Sequence, residues 1–220
     1  LVEYLDDNQL KISQVLLTHW HPDHVGGVPA LLAKYPDLAT AVYKADPDRG
    51  QNPIKDGQTF VTEGATLQAL FTPGHSTDHM CFVMKENGAM FTGDNVLGHG
   101  TSVAVEDLKL YMESLRIMTH DMRAGGLKIG YPGHGAMIED LPTSMMQYTR
   151  HWEMREKRVL AAFSERSGTA MLTTREVTAN IYGPGMDELA GPSVMHVLLK
   201  LHEEGTLDFT IVGQEKKWFL

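Results

Sequence analysis

Short apolar runs separated by turn-forming residues fill the first half of the chain, and longer helical periodicities fill the second. Ile12–Thr18 (ISQVLLT) is rich in β-branched residues and leucine and ends at a polar segment, which predicts a buried strand. His19–Gly27 is polar, ends in two glycines and reads as a loop. Val28–Tyr35 reads as a short helix stopped before Pro36, and Thr40–Lys44 as another strand. Gln58–Thr62 and Thr66–Thr72 flank Glu63-Gly64 as paired strands. Met80–Lys85 and Ala89–Thr92 flank Asn87-Gly88, whose tolerance of positive φ suits a tight hairpin.

Leu108, Tyr111, Met112, Leu115 and Met118 recur at helical spacing, so Leu108–Thr119 is predicted helical. Leu127–Tyr131 is a short strand closed by Pro132-Gly133. Past Pro142 the pattern changes. Ser144–Ser164 is a long charged helix, Thr174–Tyr182 and Ser193–Glu204 are two more, and Leu207–Val212 with Lys217–Leu220 suit a final hairpin. A boundary near residue 142 thus divides an α/β part, residues 1–142, from a mostly helical part, residues 143–220.

Composition removes several function classes. No apolar run approaches the ~18 residues of a membrane helix. The single cysteine, Cys81, excludes an intramolecular disulfide framework and cysteine-based zinc fingers, and a buried inert thiol is its default role. A net charge of −9 argues against a strongly basic nucleic-acid binder. No G-x-S-x-G occurs, so a serine nucleophile has no elbow to sit on. Eleven histidines in 220 residues point instead to metal chemistry.

Their arrangement sharpens the point. His19-Trp20-His21-Pro22-Asp23-His24 is an H-x-H-x-D-H cluster directly after a predicted strand, and neutral imidazole with carboxylate suits zinc and similar divalent ions. A solvated polar loop is the bland alternative, and three histidines with an aspartate in six residues make it a poor one. Thr72-Pro73-Gly74-His75, Thr92-Gly93-Asp94-Asn95 and Tyr131-Pro132-Gly133-His134 each place a metal-binding residue at a strand end. One Pro-Gly-His alone would be an ordinary surface turn; these elements together, in this order, suit a binuclear site.

The order H-x-H-x-D-H, His, Asp, His resembles the metallo-β-lactamase superfamily over about Ile12 to Ile138. The resemblance implies an αββα sandwich and two zinc ions per chain. His19, His21 and His75 would hold one, Asp23, His24 and His134 the other, and Asp94 would bridge them. Zinc ions about 3.5–4 Å apart would share a hydroxide for attack on a carbonyl or phosphoryl centre. Asp23 would orient that nucleophile or pass its proton to the leaving group. The same resemblance implies several strands ahead of the cluster; only residues 1–11 precede Ile12, so the α/β part is expected to be N-terminally incomplete.

Thr62-Glu63-Gly64-Ala65-Thr66-Leu67, Phe71–Met80 and the stretch Gly93-Asp94-Asn95-Val96-Leu97-Gly98-His99-Gly100-Thr101 resemble the lactamase-beta-2-like branch, as does the tail with Lys216-Lys217-Trp218. That branch implies a small winged-helix-like C-terminal domain. Asn95 and His99 look most like the fungal atrochrysone carboxyl ACP thioesterases. The implied activity is hydrolytic release of a polyketide from acyl carrier protein in secondary metabolism, with that carrier as partner and no membrane. The alternatives are a single-strand endoribonuclease, the only case calling for RNA, and an inactive truncated chain. The expected location is cytoplasmic.

Other histidines have plainer readings. His79 either orients His75 or is a hydrogen-bonded core residue. His99, between two glycines, is a candidate to face the substrate and polarise its carbonyl. His120, His151, His196 and His202 fall on predicted helices or at their ends and read as surface or packing residues. The basic run Arg150–Arg158 reads as a solvated helix face, or as a surface for an acidic carrier protein or an RNA backbone.

Overall fold

In the computed structural model, which describes residues 1–100, 105–164 and 170–220, alternation along the strands sorts side chains between two buried layers. Thr101 of the branch motif lies outside the described residues. Strands β1 (Val15–Leu16), β2 (Val42–Lys44) and β3 (Asn52–Pro53) form a small parallel sheet in that order, with Val15 opposite Val42 and Tyr43 opposite Asn52. A larger sheet follows chain order: β4 (Thr59–Thr62), β5 (Ala65–Phe71), β6 (Met80–Met84), β7 (Ala89–Gly93) and β8 (Ile129–Pro132). Its pairs are antiparallel except the last, β7–β8, which is parallel.

The sheets meet face to face. Leu16 and Tyr43 of the small sheet pack with Phe60, Ala69, Met80 and Phe82 of the large one, and the Tyr43 and Phe60 rings stand edge-on at 5.0 Å. Leu70, Cys81 and Met90 point the other way, into a helical core.

Three short α-helices, α1 (Val2–Asp7), α2 (Pro22–Val25) and α3 (Val28–Lys34), and a 3₁₀ helix at Pro36–Thr40 cover the N-terminal third. Helix α4 (Leu108–Gly125) is started by the Asp107 carboxylate, which accepts from the Leu110 N–H, and stopped by left-handed Gly126. Its buried stripe continues past Met118 to Met122, which is why the helix outruns its predicted end at Thr119. Helix α5 (Leu141–Ser164) begins three residues earlier than predicted, because Pro142 sits in the first turn, where no N–H is needed.

The C-terminal part adds α6 (Thr174–Tyr182), α7 (Asp187–Glu203) and the hairpin β9 (Asp208–Val212)–β10 (Glu215–Phe219), with Leu172 bridging Trp218. Thr173 and Glu176 form a reciprocal capping box on α6. Helix α7 starts six residues before the predicted Ser193 and carries Pro192 inside; acidic Asp187 and Glu188 in its first turn favour that earlier start. One hydrophobic cluster runs from Met90 and Leu115 through Trp152 and Val159 to Leu198 and Trp218, so the core crosses residue 142 without a break. The α/β class with helices toward the C-terminus is therefore as the sequence predicts. Among the described residues, no helix is long and apolar enough to cross a membrane.

Candidate metal centre

Five of the seven cluster residues follow the end of a strand. His19 and His21 follow β1, His75 follows β5, Asp94 follows β7 and His134 follows β8. The segment expected to be all loop contains a helical turn instead. Pro22 opens α2 with its fixed φ, and the His24 and Val25 N–H groups donate to the His21 carbonyl at 2.9 and 3.1 Å. That turn presents Asp23 and His24 to the pocket beside His134.

Seven donors converge as two adjoining groups. In the first, His19 Nε2 and His75 Nε2 lie 2.9 and 3.0 Å from His21 Nδ1, and Asp94 Oδ2 lies 3.6 Å from His75 Nε2. In the second, His134 Nε2 stands 3.0 Å from Asp23 Oδ2 and 3.3 Å from His24 Nε2. Asp94 belongs to both, with Oδ1 3.4 Å from His24 Nε2 and Oδ2 3.5 Å from His134 Nε2. The structure thus brings together His19, His21, Asp23, His24, His75, Asp94 and His134. His99 stays outside this cluster, on the exposed rim, where the Gly98 N–H donates to the His134 carbonyl at 2.9 Å.

The donor chemistry fits divalent ions. Tetrahedral nitrogen ligands at ~2.0 Å from zinc stand about 3.3 Å apart, the range these nitrogens occupy. The Thr18 hydroxyl lies 3.0 Å from His19 Nδ1 and 3.4 Å from His24 Nδ1; it holds both rings so that Nε2 presents a lone pair inward. Buried Asp94 Oδ1 has no donor nearer than His24 Nε2 at 3.4 Å among the described residues, a weak partner that leaves room for a cation. Burial, helped by His24 and His75, drives the His19 imidazole down to about 3, so it is neutral and able to ligate. Burial would raise Asp94, but the hydrogen bond to His24 and the surrounding imidazoles prevail and hold its carboxyl at about 2.

A supporting layer holds this geometry. His79, fully buried, accepts the Asp94 N–H at Nε2 (3.1 Å), so its Nδ1 carries the proton and donates to Thr72 Oγ1 (3.0 Å). Thr72 in turn donates to Cys81 Sγ at 3.3 Å. Burial pushes His79 well below the ordinary imidazole range and the Cys81 thiol up to about 12, keeping both uncharged. His79 therefore positions Asp94, not His75. Gly93 makes that approach possible, since a Cβ there would lie 2.5 Å from His79 Nε2 and φ is +49°. Gly133 is equally constrained, because a Cβ would fall 2.3 Å from Asp94 Oδ1.

Sequence reasoning did not assign roles to Thr18, Thr72, Asp78 or Glu106. Asp78 accepts from the Trp20 N–H (3.3 Å) and Ser76 hydroxyl (2.9 Å) and pairs with buried Lys44 at 3.2 Å. Glu106 accepts from Trp20 Nε1 and the Thr77 N–H at 3.2 and 2.9 Å. Only a threonine directly before the first histidine was a usable signal; the other partners come from distant segments. Beside Trp20, a pocket of about 430 Å³ has an apolar wall of Val25, Val28, Pro29 and Leu32 and a polar side that includes Lys44, Asp48 and Arg49.

Comparison with known proteins agrees with this arrangement. The family model described as the metallo-beta-lactamase superfamily matches residues 2–121. The chain is 45% identical, over all of its length and 72% of the relative's, to a protein named atrochrysone carboxyl ACP thioesterase from Aspergillus chevalieri. It is 47% identical to lactamase-like protein nscB from Aspergillus fumigatus, over all of this chain and 70% of that one. A solved β-lactamase domain protein from Burkholderia ambifaria superposes on all of the chain and 78% of its own, with a TM-score of 0.76 at 18% identity.

Proposed function

The chain belongs to the metallo-β-lactamase superfamily, and on that premise we propose that it is a binuclear zinc thioesterase that frees a polyketide from its acyl carrier protein. In this reading residues 1–142 carry the chemistry and residues 143–220 are a winged-helix-like support. The observation that carries it is Asp94, whose two oxygens reach both donor groups at once. The thioester is favoured by likeness, along the whole chain, to a relative named for that activity.

His19, His21 and His75 would hold one ion, Asp23, His24 and His134 the other, with Asp94 shared. Such a pair supplies hydroxide at neutral pH and positive charge opposite a developing oxyanion. The chain's own groups do the rest. Thr18 and His79 fix the orientation of imidazoles and carboxylate before substrate arrives. Partial burial works against ionisation of Asp23, but its own backbone N–H, His24 and His134 outweigh it and keep the carboxylate charged near neutrality. As the water oxygen bonds to the carbonyl carbon and the carbon–sulfur bond breaks, Asp23 takes the water's proton and returns it to the departing thiolate. His99, on the rim beside His134, is placed to donate to the substrate carbonyl. The pocket beside Trp20, apolar on one wall and polar on the other, suits an oxygenated polyketide acyl group.

The direct test is intact-mass analysis of an acyl-loaded carrier protein incubated with zinc-loaded enzyme, beside a chelator-treated control. Chelator-sensitive loss of the acyl mass is expected. An unchanged carrier, from protein shown to hold two zinc ions, would overturn the thioesterase in favour of RNA cleavage.

A further inference from the structure

Away from the metal centre, α4 and α5 leave a groove of about 1270 Å³ between their outer faces. Its lining residues fall at i, i+3, i+4 and i+7 on both helices, so the groove is built from one stripe of each. Arg116 and Arg123 come from α4, Arg150 and Lys157 from α5, and exposed Met146 and Met154 form part of the apolar surface between them. Glu153 is the one acid in the lining. None of the four cations lies within ion-pair distance of an acidic group of the chain among the described residues. Four unpaired, converging positive charges are anomalous in a protein with 28 acidic and 19 basic residues. Glu153 offsets at most one of these four charges, so the groove keeps a net positive lining.

We propose that this groove docks an acidic helical face of the acyl carrier protein, with carboxylates on the arginines and apolar side chains on Met146 and Met154. The proposal rests on the thioesterase reading and adds to it the surface that selects the carrier. Three observations favour a protein over the other occupants. Among the lining residues there is no Phe, Tyr or Trp, so the groove lacks the stacking platforms that single-stranded nucleic acid uses. Exposed methionines suit an adaptable protein contact. A second copy of the chain, related by two-fold symmetry, would press one basic groove against another.

Arg116 and Arg150 are exposed and outside the metal centre, so the double charge reversal R116E/R150E leaves the fold and chemistry in place. Two readouts separate the questions. Fluorescence anisotropy of a labelled, unacylated polyketide-synthase carrier domain reports docking alone, whatever reaction the protein catalyses. The expected result is at least tenfold weaker binding by R116E/R150E than by wild type, a salt-sensitive wild-type affinity, and no change in the control variant K11E/K55E. Kinetics with acyl carrier protein and with a small acyl-pantetheine thioester then test the link to catalysis. KM for the carrier substrate should rise about tenfold while kcat, and turnover of the small thioester, stay at wild-type levels. Equal binding by wild type and R116E/R150E overturns the groove, as does a wild type that binds a 20-nucleotide single-stranded RNA and not the carrier. Intact docking with no turnover of either thioester would instead overturn the thioesterase reading and leave the docking surface standing.

Discussion

Asp94 joins three parts of the site: two donor groups at its carboxylate oxygens, and the His79 imidazole at its backbone N–H. Asp94→Ala should therefore lower bound zinc from two equivalents to one or fewer, by elemental analysis, and reduce turnover at least a thousandfold; an active variant with two zinc ions would defeat the assignment. Thr18→Val removes the hydroxyl facing His19 and His24 and should weaken zinc binding about 10- to 100-fold in a competition with a chelating dye. The pH response follows from the same cluster. His19 and His79 are held neutral in the fold, so between pH 6.5 and about 3 the unfolded chain binds more protons and stability rises with pH. His151 and His196, lowered by burial, act in the same direction, while His24, raised by its hydrogen bond to Asp94, opposes them only above about pH 6.5. Urea midpoints of the metal-free protein should accordingly fall from pH 7 to pH 5, at about 1.4 kcal/mol per pH unit for each uncompensated imidazole. The depressed Asp94 carboxyl adds stability that is present above its ordinary value and lost only as pH falls through about 2.

At the scale of elements, the sequence was most legible where a pattern repeats and least where a partner is distant. The β4–β5 and β6–β7 hairpins lie where alternation and Asn87-Gly88 put them, and α6 spans the predicted Thr174–Tyr182. The β1 strand pairs over only Val15–Leu16 because β2 offers it a three-residue neighbour, a limit no local pattern encodes. Likewise α2 was read as loop because four residues are too few for a period, although Pro22 marks its start. All seven clustered donors were visible as motifs: five follow strand ends, and Asp23 and His24 complete the dense H-x-H-x-D-H run. The Asp94–His79–Thr72–Cys81 relay was not, because it joins three residues just outside strand ends to Cys81 within β6 through tertiary contact. Helix α4 supplies the test at this scale. Leu115 is completely buried at the centre of its stripe, and Leu115→Ala should cost about 3 kcal/mol in chemical denaturation. A loss below 1 kcal/mol would mean that α4 does not anchor the core.

For the whole molecule, continuity of the core across residue 142 decides how the chain unfolds. Tyr111 and Trp152 rings meet at 6.4 Å, and the Tyr148 hydroxyl accepts the Leu97 N–H at 2.9 Å, so α5 braces both the helical layer and the loop behind Asp94. A chain cut after residue 142 exposes that face of α4 and should lack a cooperative thermal transition, whereas the 220-residue protein melts in one step. A second transition in the full chain would show that the helical part folds independently.

The position of the donors on the two sheets has one more consequence. His19 and His21 hang from the small sheet, whose three strands contribute only seven residues, while His75, Asp94 and His134 hang from the large one. Any ion gripped by both sets acts as a rivet through the sandwich, and its binding energy becomes resistance to the layers sliding apart. Chelation should then speed backbone amide exchange selectively in β1, β2 and α2, leaving β6 and β7 as slow as before. The smaller layer of the sandwich is thus the one that a bound ion would fasten.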